Sequence, residues 1–117
     1  MSRWSDDYGT NPAYHPEKVG LTLVAAIEYS SGFYEFDTRI VWRRDETGEL
    51  LTARDSGCSC PTPFDGIGGY EDLEKFDLKK LTREVRKEQS ESYNDVNADE
   101  AERFIAKINK ADREGKQ

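Results

Sequence analysis

The residues best suited to chemistry are two cysteines, Cys58 and Cys60, set in the run Asp55-Ser56-Gly57-Cys58-Ser59-Cys60-Pro61-Thr62-Pro63-Phe64. In an extended segment, positions two apart share a face, so both thiols would point the same way. With His15 and a carboxylate such as Asp55 they make a candidate zinc ligand set. The spacing argues against it, because paired ligands of structural zinc sites are usually about two to four residues apart and a second Cys/His pair is missing. A disulfide within Cys-Ser-Cys would close a strained, reducible ring, useful only as a redox element. A cysteine nucleophile needs a base, and the one histidine, His15, lies far away in sequence. The commoner reading is structural: two small, weakly polar side chains filling a tight chain reversal. No cofactor is therefore expected, and zinc on Cys58, Cys60 and His15 is the minor alternative.

Three other patterns have weaker claims. Phe64-Asp65-Gly66-Ile67-Gly68-Gly69-Tyr70 is glycine-rich and leads toward a helical pattern. It lacks the Lys-Ser/Thr of a phosphate-binding loop, and Asp65, Glu71 and Asp72 would repel phosphate, so it reads as a connector. The carboxylate pairs Asp6-Asp7, Glu71-Asp72 and Asp99-Glu100 read as solvated acids rather than acid/base dyads. Tyr34, Phe36 and Trp42 have the types that stack nucleic-acid bases, but no basic rim surrounds them and a core under the helices needs them.

Composition narrows the classes further. The chain has 117 residues, enough for one domain that folds without disulfides or metal. Its net charge of −7 disfavours direct contact with nucleic acid or an anionic membrane, except through a local patch. No apolar run resembles a signal peptide or approaches the ~20 residues that span a bilayer. The expectation is a cytoplasmic protein with free thiols.

The elements that would hold these residues follow from periodicity. Residues 1–18, with Asn11-Pro12 and His15-Pro16, read as an aromatic N-terminal arm. Val19–Tyr29 alternates as a strand with Leu21, Leu23, Ala25, Ile27 and Tyr29 on one apolar face. After a turn at Ser30-Ser31-Gly32, the even positions Tyr34, Phe36, Thr38, Ile40 and Trp42 form the apolar face of a second strand. Asp45-Glu46-Thr47-Gly48 turns the chain into a third strand, Leu50–Arg54. Asp72–Glu88 carries Leu73, Phe76, Leu78, Leu81 and Val85 at helical spacing. Asn97 is a candidate cap, with Glu100 three residues on, for a second helix with Ala98, Ala101, Phe104, Ile105, Ile108 and Ala111 inward. Gln89–Asn94 connects the helices. The predicted fold class is α+β, a three-stranded antiparallel meander packed against two C-terminal helices, with one domain over residues 19–112 and a frayed tail at 113–117.

A strand with Tyr34, Phe36 and Val41-Trp42-Arg43, a Thr47-Gly48 turn and the segment from Asp55 to Phe64 together resemble a family of small uncharacterised proteins encoded by actinobacteriophages. The likeness covers residues 19–88, and its specific part is the Asp55–Phe64 segment. The resemblance implies a phage product made in a bacterial cytoplasm; it carries no catalytic residues across. The expected function is that of a non-enzymatic protein-binding module, host-modulating or anti-defence, which engages a host protein through Asp55, Cys58, Cys60, Pro61, Pro63 and Phe64 and an acidic helix face. A metal- or thiol-dependent activity at Cys58 and Cys60, and a structural or assembly role in a phage particle, are the alternatives.

Overall fold

A computed structural model of the chain describes residues 11–29, 35–58, 64, 67, 69–91 and 98–115. Strands β1 (Leu21–Glu28), β2 (Glu35–Arg44) and β3 (Leu50–Cys58) form the antiparallel meander that their alternation predicts. Between β2 and β3, the Gly48 amide bonds to the Arg44 carbonyl at 2.7 Å, and Gly48 takes a φ of 74° that a side chain would resist. A two-residue β4 (Glu74–Lys75) pairs with Leu51 and Thr52, so the described residues form a sheet of four strands in the order β1-β2-β3-β4, one more than expected. Helices α1 (Leu78–Glu91) and α2 (Ala98–Gly115) follow, and the class is α+β.

The first helix starts later than its apolar spacing suggests. Asp72, the last residue of a 3-10 turn at Tyr70–Asp72, and β4 occupy the start of the stretch whose spacing predicts a helix. The start is set by Asp77, whose carboxylate accepts the Lys79 amide at 3.0 Å and whose carbonyl accepts the Leu81 amide at 2.9 Å, an N-cap arrangement. Gln89–Glu91, expected in the connection, continue α1. Asn97, Tyr34 and the Ser30–Gly32 turn lie outside the described residues.

The sheet is covered on both faces, which corrects the expectation of a single apolar face under the helices. Ala25, Ile27, Tyr29 and Val41 pack with Leu81 and Val85 of α1 and with Ala101, Phe104, Ile105 and Ile108 of α2. Ile40, Trp42 and Leu51 point to the opposite side, where Val19, Leu21, Phe64, Ile67 and Leu73 cover them. The helices therefore sit on the side of β2 that carries Arg39, Val41 and Arg43, not on the side of Trp42. The run Ile40-Val41-Trp42 is apolar on both faces, as a strand buried on both sides requires.

β1 contributes to both layers because of a bulge. Its register runs Leu21↔Arg44, Thr22↔Arg43 and Leu23↔Trp42, then skips Val24 and resumes at Ala25↔Val41. One extra residue reverses the facing of everything beyond it. Leu21 thus joins the Trp42 layer, whereas Ala25 and Ile27 join the helical layer.

Residues 11–20 pack against the Trp42 face. The Trp42 indole donates to the Pro12 carbonyl at 3.1 Å, and the 3-10 turn Pro16–Val19 ends at Gly20, whose φ is 75°. The Tyr70 hydroxyl donates to the Val19 carbonyl, and the Arg44 guanidinium lies 3.9 Å above the Tyr70 ring.

Candidate functional site

Asp55 ties Phe64 back to the end of β3. It pairs with Thr38 in the sheet, which points its carboxylate to the Trp42 face. That carboxylate accepts two backbone N–H groups, from Ser56 at 3.0 Å and from Phe64, nine positions along the chain, at 2.7 Å. Phe64 is buried, and its ring meets Trp42 edge to face at 5.9 Å between centroids and 86° between planes. Its φ of 63° lies in the left-handed region, which a bulky residue occupies only where its surroundings over-determine it. Here the Asp55 acceptor and the Trp42 pocket do so. A cavity of about 260 Å³ lies beside this contact, between Ala53, Asp55, Phe64, Ile67 and Glu74.

The other sequence-predicted site residues are distributed as follows. Cys58 supplies backbone to the end of β3, where it pairs with Glu35. Cys60, Pro61 and Pro63 lie outside the described residues. His15 sits just before the 3-10 turn with its Nδ1 at 3.5 Å from Glu17 Oε1, partly exposed. Among the described residues, no group of three or more His, Cys, Asp or Glu side chains is arranged to hold a metal ion.

A second constellation, not singled out by the sequence reading, lies between the sheet and α1. Glu88 projects from α1 toward the sheet and accepts three hydrogen bonds, from the Tyr29 hydroxyl at 2.6 Å and from Arg39 Nε at 2.9 Å and Nη2 at 2.6 Å, and it is ion-paired with Arg54 Nη1 at 3.2 Å. Arg39, whose side chain is 7% exposed, gives its remaining terminal nitrogen to Thr52 at 3.2 Å, and Thr52 donates on to the Ile40 carbonyl. Arg54 forms a two-pronged pair with Asp37, both contacts at 2.8 Å, and its guanidinium lies 5.1 Å from the Tyr29 ring centre.

The electrostatics of this cluster are self-consistent. Burial would raise the Glu88 carboxyl, but hydrogen bonds from Arg39 and Tyr29 and the charges of Arg39 and Arg54 outweigh it and hold Glu88 below its ordinary range. Burial pushes the Tyr29 hydroxyl upward, and its bond to anionic Glu88 pushes the same way. Burial works against charged Arg39, but its bonds to Glu88 prevail and raise it; Arg54 is raised chiefly by its bond to Asp37. A carboxylate held ionised and a phenol held protonated at neutral pH make a structural tie. Neither is poised to exchange a proton near neutral pH, as a general acid or base must be.

The signal for this cluster was present in the sequence. Arg39 adjoins the apolar run Ile40-Val41-Trp42 and shares a strand face with Val41, and Glu88 follows Leu81 and Val85 at helical spacing on the same face of α1. Alternation puts Arg39 on the partly polar face opposite Ile40 and Trp42, and nothing in one sequence pairs a strand position with a helix position.

The family described as "Domain of unknown function (DUF7574)" matches residues 10–115. The chain belongs to that family. The DUF7574 span takes in the Asp55–Phe64 loop base, the Glu88 cluster and both helices. No curated protein and no solved structure matches the chain. No helix among the described residues is long and apolar enough to cross a membrane.

Proposed function

We propose that this DUF7574 chain is a non-enzymatic protein-binding module that presents the Cys58–Pro63 loop to a partner. The observation that carries the reading is the Asp55 carboxylate, which ties the amide of Phe64 at one end of the loop to the end of β3 at the other. With Phe64 seated against Trp42, the chain on either side of the segment is held, and recognition loops are effective when a rigid scaffold positions them. The Glu88 cluster supports the non-enzymatic half of the reading, because its donors and acceptors are spent on one another. The resemblance of Asp55–Phe64 to actinobacteriophage proteins supports a phage product acting in the bacterial cytoplasm on a host protein, as a host-modulating or anti-defence factor.

The test is native mass spectrometry of the tagged chain captured gently from its host without chelator. A stoichiometric host protein retained by the parent chain and lost in Pro61→Ala/Pro63→Ala, while Lys79→Glu keeps it, is the expected result. A partner retained by the loop variant overturns the assignment of the loop. One zinc per chain that disappears in Cys58→Ser replaces this reading with the metal-dependent one, and a stable homo-oligomer without a host protein replaces it with an assembly role.

A further inference from the structure

A second surface, independent of the loop, lies at the outer edge of β1. β1 pairs with β2 on one side, and among the described residues no strand lies along its other side. A strand edge presents N–H and C=O groups ready for another strand, and folded proteins usually protect long edges with Lys, Pro or a covering segment. Leu21–Glu28 is eight residues long and contains no Lys, Arg or Pro. Among the described residues, the bulge at Val24 is the one device that protects it, and beyond the bulge Ala25–Glu28 continues in regular register. Next to the bulge, Leu23 is 52% exposed.

The charge beside this edge is opposite to that of the whole protein. Leu23 and Val24 border a cavity of about 230 Å³ with Arg43 from β2 and Lys107, Lys110 and Glu114 from α2. Three cations face one carboxylate there, on a chain whose net charge is −7. Arg43 gives one terminal nitrogen to the Ala111 carbonyl at 2.8 Å, and its buried Nε has no hydrogen-bond partner.

We infer that the β1 edge accepts an extended acidic segment of a partner protein as an added strand, with its carboxylates over Lys107 and Lys110 and an apolar side chain beside Leu23. Main-chain hydrogen bonds supply affinity in this mode, and side-chain complementarity supplies selection. A second copy pairing β1 to β1 about a two-fold axis near the bulge would set the two cation groups against each other, which like-charge repulsion disfavours.

The probe is a synthetic peptide of alternating Glu and Val, with alternating Lys and Val as control, titrated into the full isotope-labelled chain and followed by amide chemical shifts and hydrogen exchange. Binding of the Glu peptide should move and protect amides of Leu21–Glu28, weaken severalfold between ~50 and ~300 mM salt, and exceed binding of the Lys peptide. Lys107→Glu/Lys110→Glu should weaken it about tenfold, while Lys79→Glu/Lys80→Glu, exposed on α1 and equal in charge change, leaves it unaltered. No binding at ~1 mM peptide, shifts outside β1, or equal binding of both peptides overturns the inference. Peptide-free dimerisation that protects the same amides assigns the edge to a second copy and overturns it too.

Discussion

Replacing Glu88 by Gln keeps the size of the side chain and removes the charge on which the sheet–helix junction converges. Three hydrogen bonds reach the carboxylate, from Tyr29 at 2.6 Å and from Arg39 at 2.9 and 2.6 Å, and Arg54 is ion-paired with it at 3.2 Å. A Gln amide has one acceptor oxygen and turns its NH₂ toward a guanidinium, so at least one donor loses its partner. Arg39 is then a buried cation whose nearest remaining carboxylate is Glu84, at 3.9 Å and with a side chain 43% exposed. Removing one partner of a buried ion pair costs about 3–5 kcal/mol. The partial exposure of Arg54 and the reach of Glu84 favour the lower end, so the expected loss is about 3 kcal/mol, or a fall in Tm of roughly 12 °C for a domain of this size. Urea unfolding followed by circular dichroism at 25 °C measures it, with the m-value unchanged if only the native state is affected. The triple variant Glu88→Leu/Arg39→Met/Tyr29→Phe, which removes the charges and the hydroxyl together, should recover more than half of the loss. A Glu88→Gln loss below about 1 kcal/mol would refute the reasoning, because it would mean that water screens the cluster as it does a surface pair.

The same cluster sets limits in pH. Glu88 is held below its ordinary range, so its contribution is complete above the pH at which an unfolded glutamate ionises, about 4.3, and disappears as pH falls through the lower folded value; Glu88→Gln should flatten the acid limb of stability against pH. Tyr29 is held above its ordinary range, so its contribution is complete below pH ~10 and is lost as pH rises beyond it; ultraviolet titration should show one tyrosine ionising only as the chain unfolds. Asp55→Ala removes the acceptor for the Ser56 and Phe64 amides; it should cost about 2 kcal/mol in urea unfolding and speed limited-proteolysis cleavage between residues 58 and 64. Gly20→Ala and Gly48→Ala both force a side chain to positive φ, but a Cβ at Gly20 would lie 2.7 Å from the Tyr70 hydroxyl while that at Gly48 meets nothing within 4 Å. The second should cost about 1 kcal/mol and the first at least twice that, with Gly20→Ala/Tyr70→Phe recovering part of the difference by thermal melting.

The parts of the fold that were legible in the sequence are those where one period dominates. α2 repeats apolar residues at three and four from Ala101 to Ala111, and β2 alternates cleanly. The bulge was not legible, because Leu23-Val24-Ala25-Ala26 offers an apolar or small side chain to either face and so hides a change of register. The even positions of β2 are the bulkier set, which predicts Trp42 under the helices. The odd positions reach that side because Glu88 neutralises Arg39, a pairing that links residues 49 apart in the chain. β4 is not legible because Leu73 and Phe76 fit a helix as well as they fit an extended pair, and the cap at Asp77 decides between them. In the loop base, the sequence marked Asp55 and Phe64 as neighbours of the cysteines, but only the three-dimensional path shows the carboxylate closing the loop.

The bulge at Val24 makes β1 a shared wall between two interiors. Leu21 belongs to one and Ile27 to the other, so neither layer can loosen without disturbing the strand on which its counterpart rests. Two small cores that could have melted separately are thereby tied into one cooperative unit. The helical face and the Trp42 face should lose their amide protection at the same denaturant concentration, whatever the difference in their own packing.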